Sequence, residues 1–327
     1  MSGTSCDGVD GVIASFLDDH HVTILAYTHL EFDEALRYRA NQLQQRYFSS
    51  DPFHLMAQTA NDLVDCYAEV VRQLCLSAGV LPTDIVAIGA HGQTIRHNPE
   101  AGYSIQINNS ARLVEKTGIQ VVSDWRNRDI AAGGQGAPLA PLFHKWLFDT
   151  PSQHRVLINL GGIANITDLP SGLGFDVGPA NTLMDYWAMK HLHQPFDEGG
   201  AWGASGKIIS SLLEKLLSEP FFHQLPPKST GRNLFSCEWL GRHLTGNEKP
   251  KNVQATLLEL TAQTISQAVL RLQKTPDQIF LCGGGVYNRA LRERLDQLLP
   301  VYTKTTADLG LAPMAVEATA FAWLAAQ

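Results

Sequence analysis

Cysteine is scarce and dispersed in this chain. Five occur in 327 residues (Cys6, Cys66, Cys75, Cys237 and Cys282), an odd number with no Cys-x-x-Cys pair. That excludes a disulfide framework or a cysteine zinc site and reads as reduced thiols. No His-Glu-x-x-His string occurs. Of the twelve histidines, His191 and His193 come closest to a cluster, without an acidic or cysteine partner at ligand spacing. There is no apolar run of the ~20 residues that a bilayer span needs. Nor is there a charged-then-apolar leader. The expectation is a cytoplasmic protein with no membrane partner. Positive charge is also short: 25 Lys and Arg against 32 Asp and Glu leave a net charge of −7. That argues against nucleic acid as the main partner. Small anions remain open as ligands, because glycine loops hold phosphate even in an acidic protein.

What is present fits a soluble globular protein, with 44% hydrophobic and 17% charged residues. The length exceeds what one core usually serves, so two domains are expected, 1–150 and 151–327. Residues 149–153 read as the linker.

The stretch around which the chain is organised is 155–182, RVLINLGGIANITDLPSGLGFDVGPANT. A short apolar run, the pair Gly161-Gly162 and a second short run form a β-hairpin pattern. The glycines let backbone amides approach an anion, since no Cβ intervenes. Asn165-Ile-Thr167 also fits a glycosylation acceptor, to which nothing else in the chain gives support. Further on, Asp176 stands between apolar residues ahead of Gly178-Pro179. It reads either as a half-buried carboxylate at a strand end, suited to act as base or metal ligand, or as the cap of a helix starting near Ala180.

The chain opens on MSGTSCDGVD (1–10). It reads either as a disordered terminus or as a loop in which Gly3, Thr4, Ser5 and Gly8 offer donors and close approach. In the second reading Asp7 and Asp10 are placed to hold Mg²⁺ through water. A strand 9–17 ending at Asp18-Asp19, a strand 22–30 and a helix 34–45 follow. Asp51-Pro52 opens a long helix whose apolar side is Leu55, Met56, Leu63, Val64, Tyr67, Val70, Val71 and Leu74, ending at Gly79. Residues 84–90 read as a buried strand running into His91-Gly-Gln-Thr94. A polar string at a strand end is either a ligand contact or a capped turn. Strands 104–107 and 120–123 lead to Asp124-Trp-Arg-Asn-Arg-Asp129 and the glycine-rich loop 131–138. Arg126 and Arg128 there suit a polar or anionic ligand, or else belong to a solvated charge cluster bridging two domains. A helix spans 138–148.

After the central stretch come a helix 181–192, a glycine-rich loop 199–206 and a helix to 217. Residues 226–232 form a basic turn, read as an anion contact or a plain surface loop. An amphipathic helix is expected over 253–273. Gln278–Cys282 is a strand ending in Gly283-Gly284-Gly285, with Asn288 starting the next helix. Strand, glycines and helix make a nucleotide-contact arrangement, a weak signal alone. Residues 315–326 form an Ala-rich helix with Glu317 near its start.

Together these strings resemble the anhydro-N-acetylmuramic acid kinase family. They are MSGTSCDGVD (1–10), HGQT (91–94), SDWRNRDIAAGGQGAPLAP (123–141), INLGGIANIT (158–167), GFDVGPANTLMD (174–185), PKSTGR (227–232), LCGGGVYN (281–288) and VEATAFAWLA (316–325). The resemblance implies an α/β, two-domain actin/hexokinase-like (ribonuclease H-like) fold with a central cleft. In it the C-terminal helix 315–327 can pack back on the first domain. It implies ATP and Mg²⁺ held by the 1–10 loop and the Gly161-Gly162 turn, with Gly283, Gly284 and Gly285 near the adenosine. It implies a homodimer in the bacterial cytosol that works in peptidoglycan recycling on a small anhydro amino sugar.

The implied reaction opens a 1,6-anhydro bridge. Asp176 deprotonates a water that attacks the anomeric carbon, and O6 takes the γ-phosphoryl of ATP, giving N-acetylmuramic acid 6-phosphate and ADP. Charge stabilisation on the transferring phosphoryl is the main catalytic demand. Thr94, Arg126, Arg128 and Glu317 are the residues expected to hold the sugar and its lactyl carboxylate, and Asp7 the residue expected to reach the metal. Two departures stand out. Family members begin with a short apolar strand before the MSGTS string, so a missed upstream start or a weakened phosphate loop is expected. Ala180 stands where the family more often has glycine. The alternatives are another sugar or carboxylate kinase of this fold, and a nucleotide-binding module that has lost phosphate transfer.

Overall fold

The computed structural model describes residues 1–3, 6–17, 20–44, 51–231 and 234–327. Thr4, Ser5, the turn expected at Asp18-Asp19, the end of the helix expected to reach 45, and Arg232 lie outside the described residues. The chain divides into two compact units, Met1–Leu147 with Met314–Gln327, and Phe148–Pro313.

In the first unit, β1 (Gly8–Leu17) and β2 (His21–Glu31) form an antiparallel hairpin with a bulge between Ile13 and Ala14. The helix Pro52–Ala78 packs on this pair. Its start is fixed by Asp51, whose carboxylate accepts from the amides of Phe53 and His54, with Pro at the first helical position. Gly79 ends it in the left-handed conformation, φ +67°. Leu63, Val64, Tyr67, Val70 and Leu74 of its apolar stripe are buried against Val9, Ala26, Phe32 and Leu36.

The expected buried strand 84–90 is corrected. Only β3 (Ile88–Gly89) is extended and paired, parallel to β6 (Val121–Val122), after a 3-10 turn at Pro82–Asp84, and Val86 is 89% exposed. An apolar run is no proof of a buried strand; here the Asp84 carboxylate takes the Leu81 amide and starts a turn instead. Between β3 and β6, β4 (Gln93–Asn98) pairs antiparallel with β5 (Tyr103–Ile107).

The second unit is built on one five-stranded sheet in the order β11-β10-β7-β8-β9. Its strands are β7 (Arg155–Leu160), β8 (Ile163–Asp168), β9 (Leu173–Pro179), β10 (Gln278–Cys282) and β11 (Thr303–Thr305). β7, β8 and β9 make an antiparallel meander, and β10 and β11 add on parallel to β7. That is the ribonuclease H-like strand order.

The helix expected over 253–273 runs from Pro250 to Leu270, and it is not amphipathic. Its residues 253–262 are all buried, because four helices and β9 pack around it. Three of its polar residues find partners inside the protein. Thr261 Oγ1 donates to Pro179 O (3.0 Å), Ser266 Oγ to Leu298 O (3.0 Å), and Glu259, 3% exposed, takes Arg294 through both oxygens (2.7 and 2.8 Å). The loop 199–206 is likewise partly helical. A 3-10 turn at Glu198–Gly200 and a helix Ala201–Ala204 are started by Asp197, which accepts from the amides of Trp202 and Gly203.

Burial pushes the Glu259 pKa up, but the hydrogen bonds from Arg294 and Gln263 outweigh it and the net shift is downward. A carboxylate with a depressed folded pKa stabilises the fold above its unfolded pKa and loses that contribution as pH falls through the folded one. Arg294→Met is expected to cost about 3–5 kcal/mol at neutral pH by stranding a buried charge. In denaturant unfolding this gap closes as the pH is lowered through the acid range; a gap that stays constant down to pH 3 would refute the assignment.

Candidate active site

In the second unit, cross-strand register aligns Asn159 on β7, Asn165 on β8 and Asp176 on β9. Directly paired residues share a sheet face, so these three side chains stand side by side. Asp176 is 6% exposed. β9 is an edge strand, and residues 228–230 cover that edge at Asp176. Its amide donates to Lys228 O (3.0 Å), and its Oδ2 accepts from the Thr230 amide (2.8 Å). The alternative reading of Asp176 as a helix cap is therefore overturned. It lies within the strand, and the helix Asn181–Leu192 starts at Ala180 with no side-chain cap.

The loop that clamps Asp176 is itself anchored. Lys228 Nζ donates to Phe221 O (2.9 Å) and lies 4.4 Å from the Phe221 ring centroid, while Arg271 Nη1 donates to Phe222 O (3.0 Å). Burial, then Arg271, push the Lys228 pKa down, and Asp176 acts against them. Of the basic turn 226–232, read as an anion contact or a plain surface loop, residues 228–230 meet the Asp176 carboxylate and its amide.

The Gly161-Gly162 turn is fixed by its carbonyls. Gly161 O accepts from the Asn181 amide (3.1 Å), and Gly162 O accepts from those of Ala180 (3.0 Å) and Thr182 (3.1 Å). Asn181 Nδ2 adds a bond to Leu160 O (2.8 Å). A Cβ built on Gly161 would meet nothing nearer than 3.6 Å. Protein packing does not require glycine at 161, which leaves close approach of a ligand as a reason for it.

Gly283 differs. Its φ is +79°, and a Cβ would stand 2.3 Å from Asn159 Oδ1. A Cβ on Gly285 would stand 2.6 Å from that of Leu160. The glycines after β10 therefore lie against the end of β7, and Gly284 opens a 3-10 turn before the helix Arg289–Leu298. Asn288 caps that helix by accepting from the Leu291 amide (3.0 Å). The structure so brings Asp176, the Gly161-Gly162 turn and Gly283–Gly285 onto one sheet.

In the first unit the opening loop is pinned by the HGQT string. Ser2 Oγ donates to Gly92 O (3.0 Å), and Gln93 Nε2 donates to Gly3 O (3.0 Å). Gly8 sits where a Cβ would stand 2.5 Å from Leu30 O, so packing in the β1–β2 hairpin alone accounts for it. Asp10 Oδ1 accepts from Tyr27 OH (2.6 Å), and His29 Nδ1 lies 3.0 Å from it; the His29 pKa is raised, first by that hydrogen bond. Asp7 is exposed. No group of three or more metal-ligating side chains occurs among the described residues. A Mg²⁺ reached by Asp7 would take most of its ligands from phosphates and water, as this ion commonly does.

Of the four expected sugar contacts, Thr94 Oγ1 accepts from Gln106 Nε2 (3.1 Å) and Arg128 is exposed. Arg126 donates from Nε to His91 Nε2 (2.9 Å) and from Nη1 to Gly136 O (2.7 Å). Glu317 lies one turn before Phe321 on the helix Val316–Ala326, and the Phe321 ring meets that of His91 at 4.6 Å. In the charge cluster 124–129, Asp129 Oδ2 takes the Gly136 amide (2.7 Å) and Asn127 Oδ1 takes that of Ser104 (2.8 Å).

Asn159 and Asn165 were not among the residues expected to form a site; His91, Lys228 and Thr230 were expected only as members of strings read as possible ligand or anion contacts. For the two asparagines a signal exists, a polar residue inside an apolar strand. For Thr230, which acts through its amide, composition offers none.

The family model for anhydro-N-acetylmuramic acid kinase matches residues 1–327. The chain belongs to the anhydro-N-acetylmuramic acid kinase family. A protein of that name from Nitrosospira multiformis is 50% identical over 334 residues, covering 100% of this chain and 90% of its own length. Those of Nitrosomonas europaea (47%, covering 100% and 91%) and Burkholderia mallei (46%, covering 99% and 89%) are similar throughout. Membership in the anhydro-N-acetylmuramic acid kinase family makes this an enzyme of the kinase class. These relatives lend no support to the alternatives.

Gly283→Ala is expected to destabilise the second unit by about 1–3 kcal/mol from backbone conformation alone, more with the clash at Asn159. Denaturant unfolding reads this directly, and an unshifted midpoint would show that the end of β10 does not lie against β7.

Proposed function

We propose that the chain opens 1,6-anhydro-N-acetylmuramic acid with water and phosphorylates O6 from ATP, giving N-acetylmuramic acid 6-phosphate and ADP. Asp176 is the base. It takes a proton from water, whose oxygen bonds to the anomeric carbon as the bond from that carbon to O6 breaks; O6 then takes the γ-phosphoryl. The observation that carries this reading is the Asp176 carboxylate itself. It is 6% exposed, and the Thr230 amide holds one of its oxygens (2.8 Å). A base in that setting has a fixed direction of attack.

Gly161, Gly162 and the opening-loop residues Gly3, Thr4, Ser5 and Gly8 are the phosphate-contacting positions, and Gly283, Gly284 and Gly285 those next to adenosine. Mg²⁺, when bound, neutralises charge on the phosphates. Asp7 reaches it through water, while Asp10 is engaged by Tyr27 and His29. Thr94, Arg126, Arg128 and Glu317 hold the sugar, Arg126 facing its lactyl carboxylate. The enzyme works as a homodimer in the bacterial cytosol, in peptidoglycan recycling.

Turnover with ATP, Mg²⁺ and the anhydro sugar in ¹⁸O-water tests this by mass: the label is expected at C1 and the phosphate at O6. Asp176→Asn should lower kcat by about 10²–10⁴-fold, the usual range for loss of a general base, with ATP affinity kept. Unlabelled product, or equal losses in turnover and ATP binding, would sink the assignment.

A further inference from the structure

We propose that His91 is a positioning residue for Arg126 and, through it, a determinant of selectivity for sugars that carry a carboxylate. This rests on the reading of Arg126 as the lactyl-carboxylate contact. Two hydrogen bonds define the role of His91. A carbonyl oxygen only accepts, so Nδ1, 2.6 Å from Gly92 O, carries the ring proton. The Arg126 Nε–H only donates, so Nε2, 2.9 Å away, presents its bare lone pair. The ring is therefore neutral, in one tautomer. Burial, then the Arg126 cation, push its pKa well below the ordinary histidine value. His91 is 4% exposed and its ring packs against Phe321, so it serves through Arg126 and not by touching sugar.

The second anchor matters as much. Arg126 Nη1 donates to Gly136 O (2.7 Å). A guanidinium tied at one nitrogen still swings about that bond; tied at Nε and Nη1 to separate groups, its plane is fixed. Recognition of a carboxylate by arginine depends on that plane. The His91 lone pair is what sets it, and the Nδ1 bond to Gly92 sets the lone pair. Gly92 in turn accepts from Ser2, so the same string that pins the opening loop orients the arginine.

The test compares two substitutions on two ligands by calorimetry: 1,6-anhydro-N-acetylmuramic acid and its carboxyl-free analogue 1,6-anhydro-N-acetylglucosamine. His91→Asn places an amide near the Nδ1 position and removes the acceptor for Arg126. It is expected to weaken binding of the carboxylated sugar on the order of tenfold, the scale of a lost hydrogen bond to a charged group, and to leave the analogue unaffected. His91→Gln, whose oxygen reaches the Nε2 position, is expected to keep the wild-type preference. Equal losses on both sugars in His91→Asn, or none, would overturn the proposal. Should His91→Asn not fold, a lost preference in His91→Gln would overturn it. Arg126→Ala separates the two levels. If it leaves the preference unchanged, the carboxylate reading falls and takes the proposal with it. If it abolishes the preference while His91→Asn does not, the proposal about His91 alone is wrong.

Discussion

Side chains alternate across a strand, so a one-residue shift in register turns every residue to the opposite face. β9 faces this constraint at both ends. Near the turn, Ile163 pairs with Pro179 and Ala164 with Gly178; farther on, Asn165 pairs with Asp176 and Ile166 with Phe175. The two registers are reconciled by one extra residue, Val177, opposite the Ala164–Asn165 step. Without it, a strand held at Pro179 would set Asp176 opposite Ile166, which is fully buried in the hydrophobic core. An ionised carboxylate there would enter that core, where burial without a hydrogen-bond donor is costly. The bulge keeps the hairpin end closed and still turns the acid toward Asn165.

The closed end needs that register for a second reason. A helix begins with amides that lack partners inside it. At Ala180, Asn181 and Thr182 they are taken by the carbonyls of Gly161 and Gly162. The helix start is thereby committed to holding the turn, not to binding an anion itself. With its carbonyls drawn to one side, the turn has a defined orientation before any ligand arrives. Gly283 and Gly285 complete the arrangement by letting β10 end against Asn159 and Leu160.

Much of this was legible in the chain because it depends on local chemistry. Asp51-Pro52 and Gly79 bounded their helix, Gly161-Gly162 marked a hairpin, and Asn288 marked a helix start. What was not legible depends on what lies across space. The helix 250–270 carries enough threonine, glutamine and serine to read as two-faced, and only the neighbours packed around it bury both faces. Residues 84–90 read as buried on composition, while Asp84 turns the chain and leaves Val86 in water. The same limit held at the site. Asp176 was visible as an acid among apolar residues, but Lys228 and Thr230 engage it through backbone atoms, which residue type does not announce.

The two units solve different problems by different means. In the second, the Asp176 carboxylate is set by strand register and backbone bonds, which deviate little once the sheet has formed; sites carried on strands are correspondingly exact. In the first, the groups suited to a sugar are set by side chain to backbone bonds. Ser2, Gln93, Arg126 and Asp129 each reach a loop carbonyl or amide. Such bonds break and re-form at a net contribution of only about 1 kcal/mol each. A base that must meet one attacking water benefits from the stiff arrangement. Under the proposed function, groups that admit and release a bulky, charged sugar benefit from the softer one. Arg126 falls between the two: it sits in the softer unit, yet its plane is held from two directions. For the carboxylate contact proposed for Arg126, orientation and not mere proximity decides the outcome.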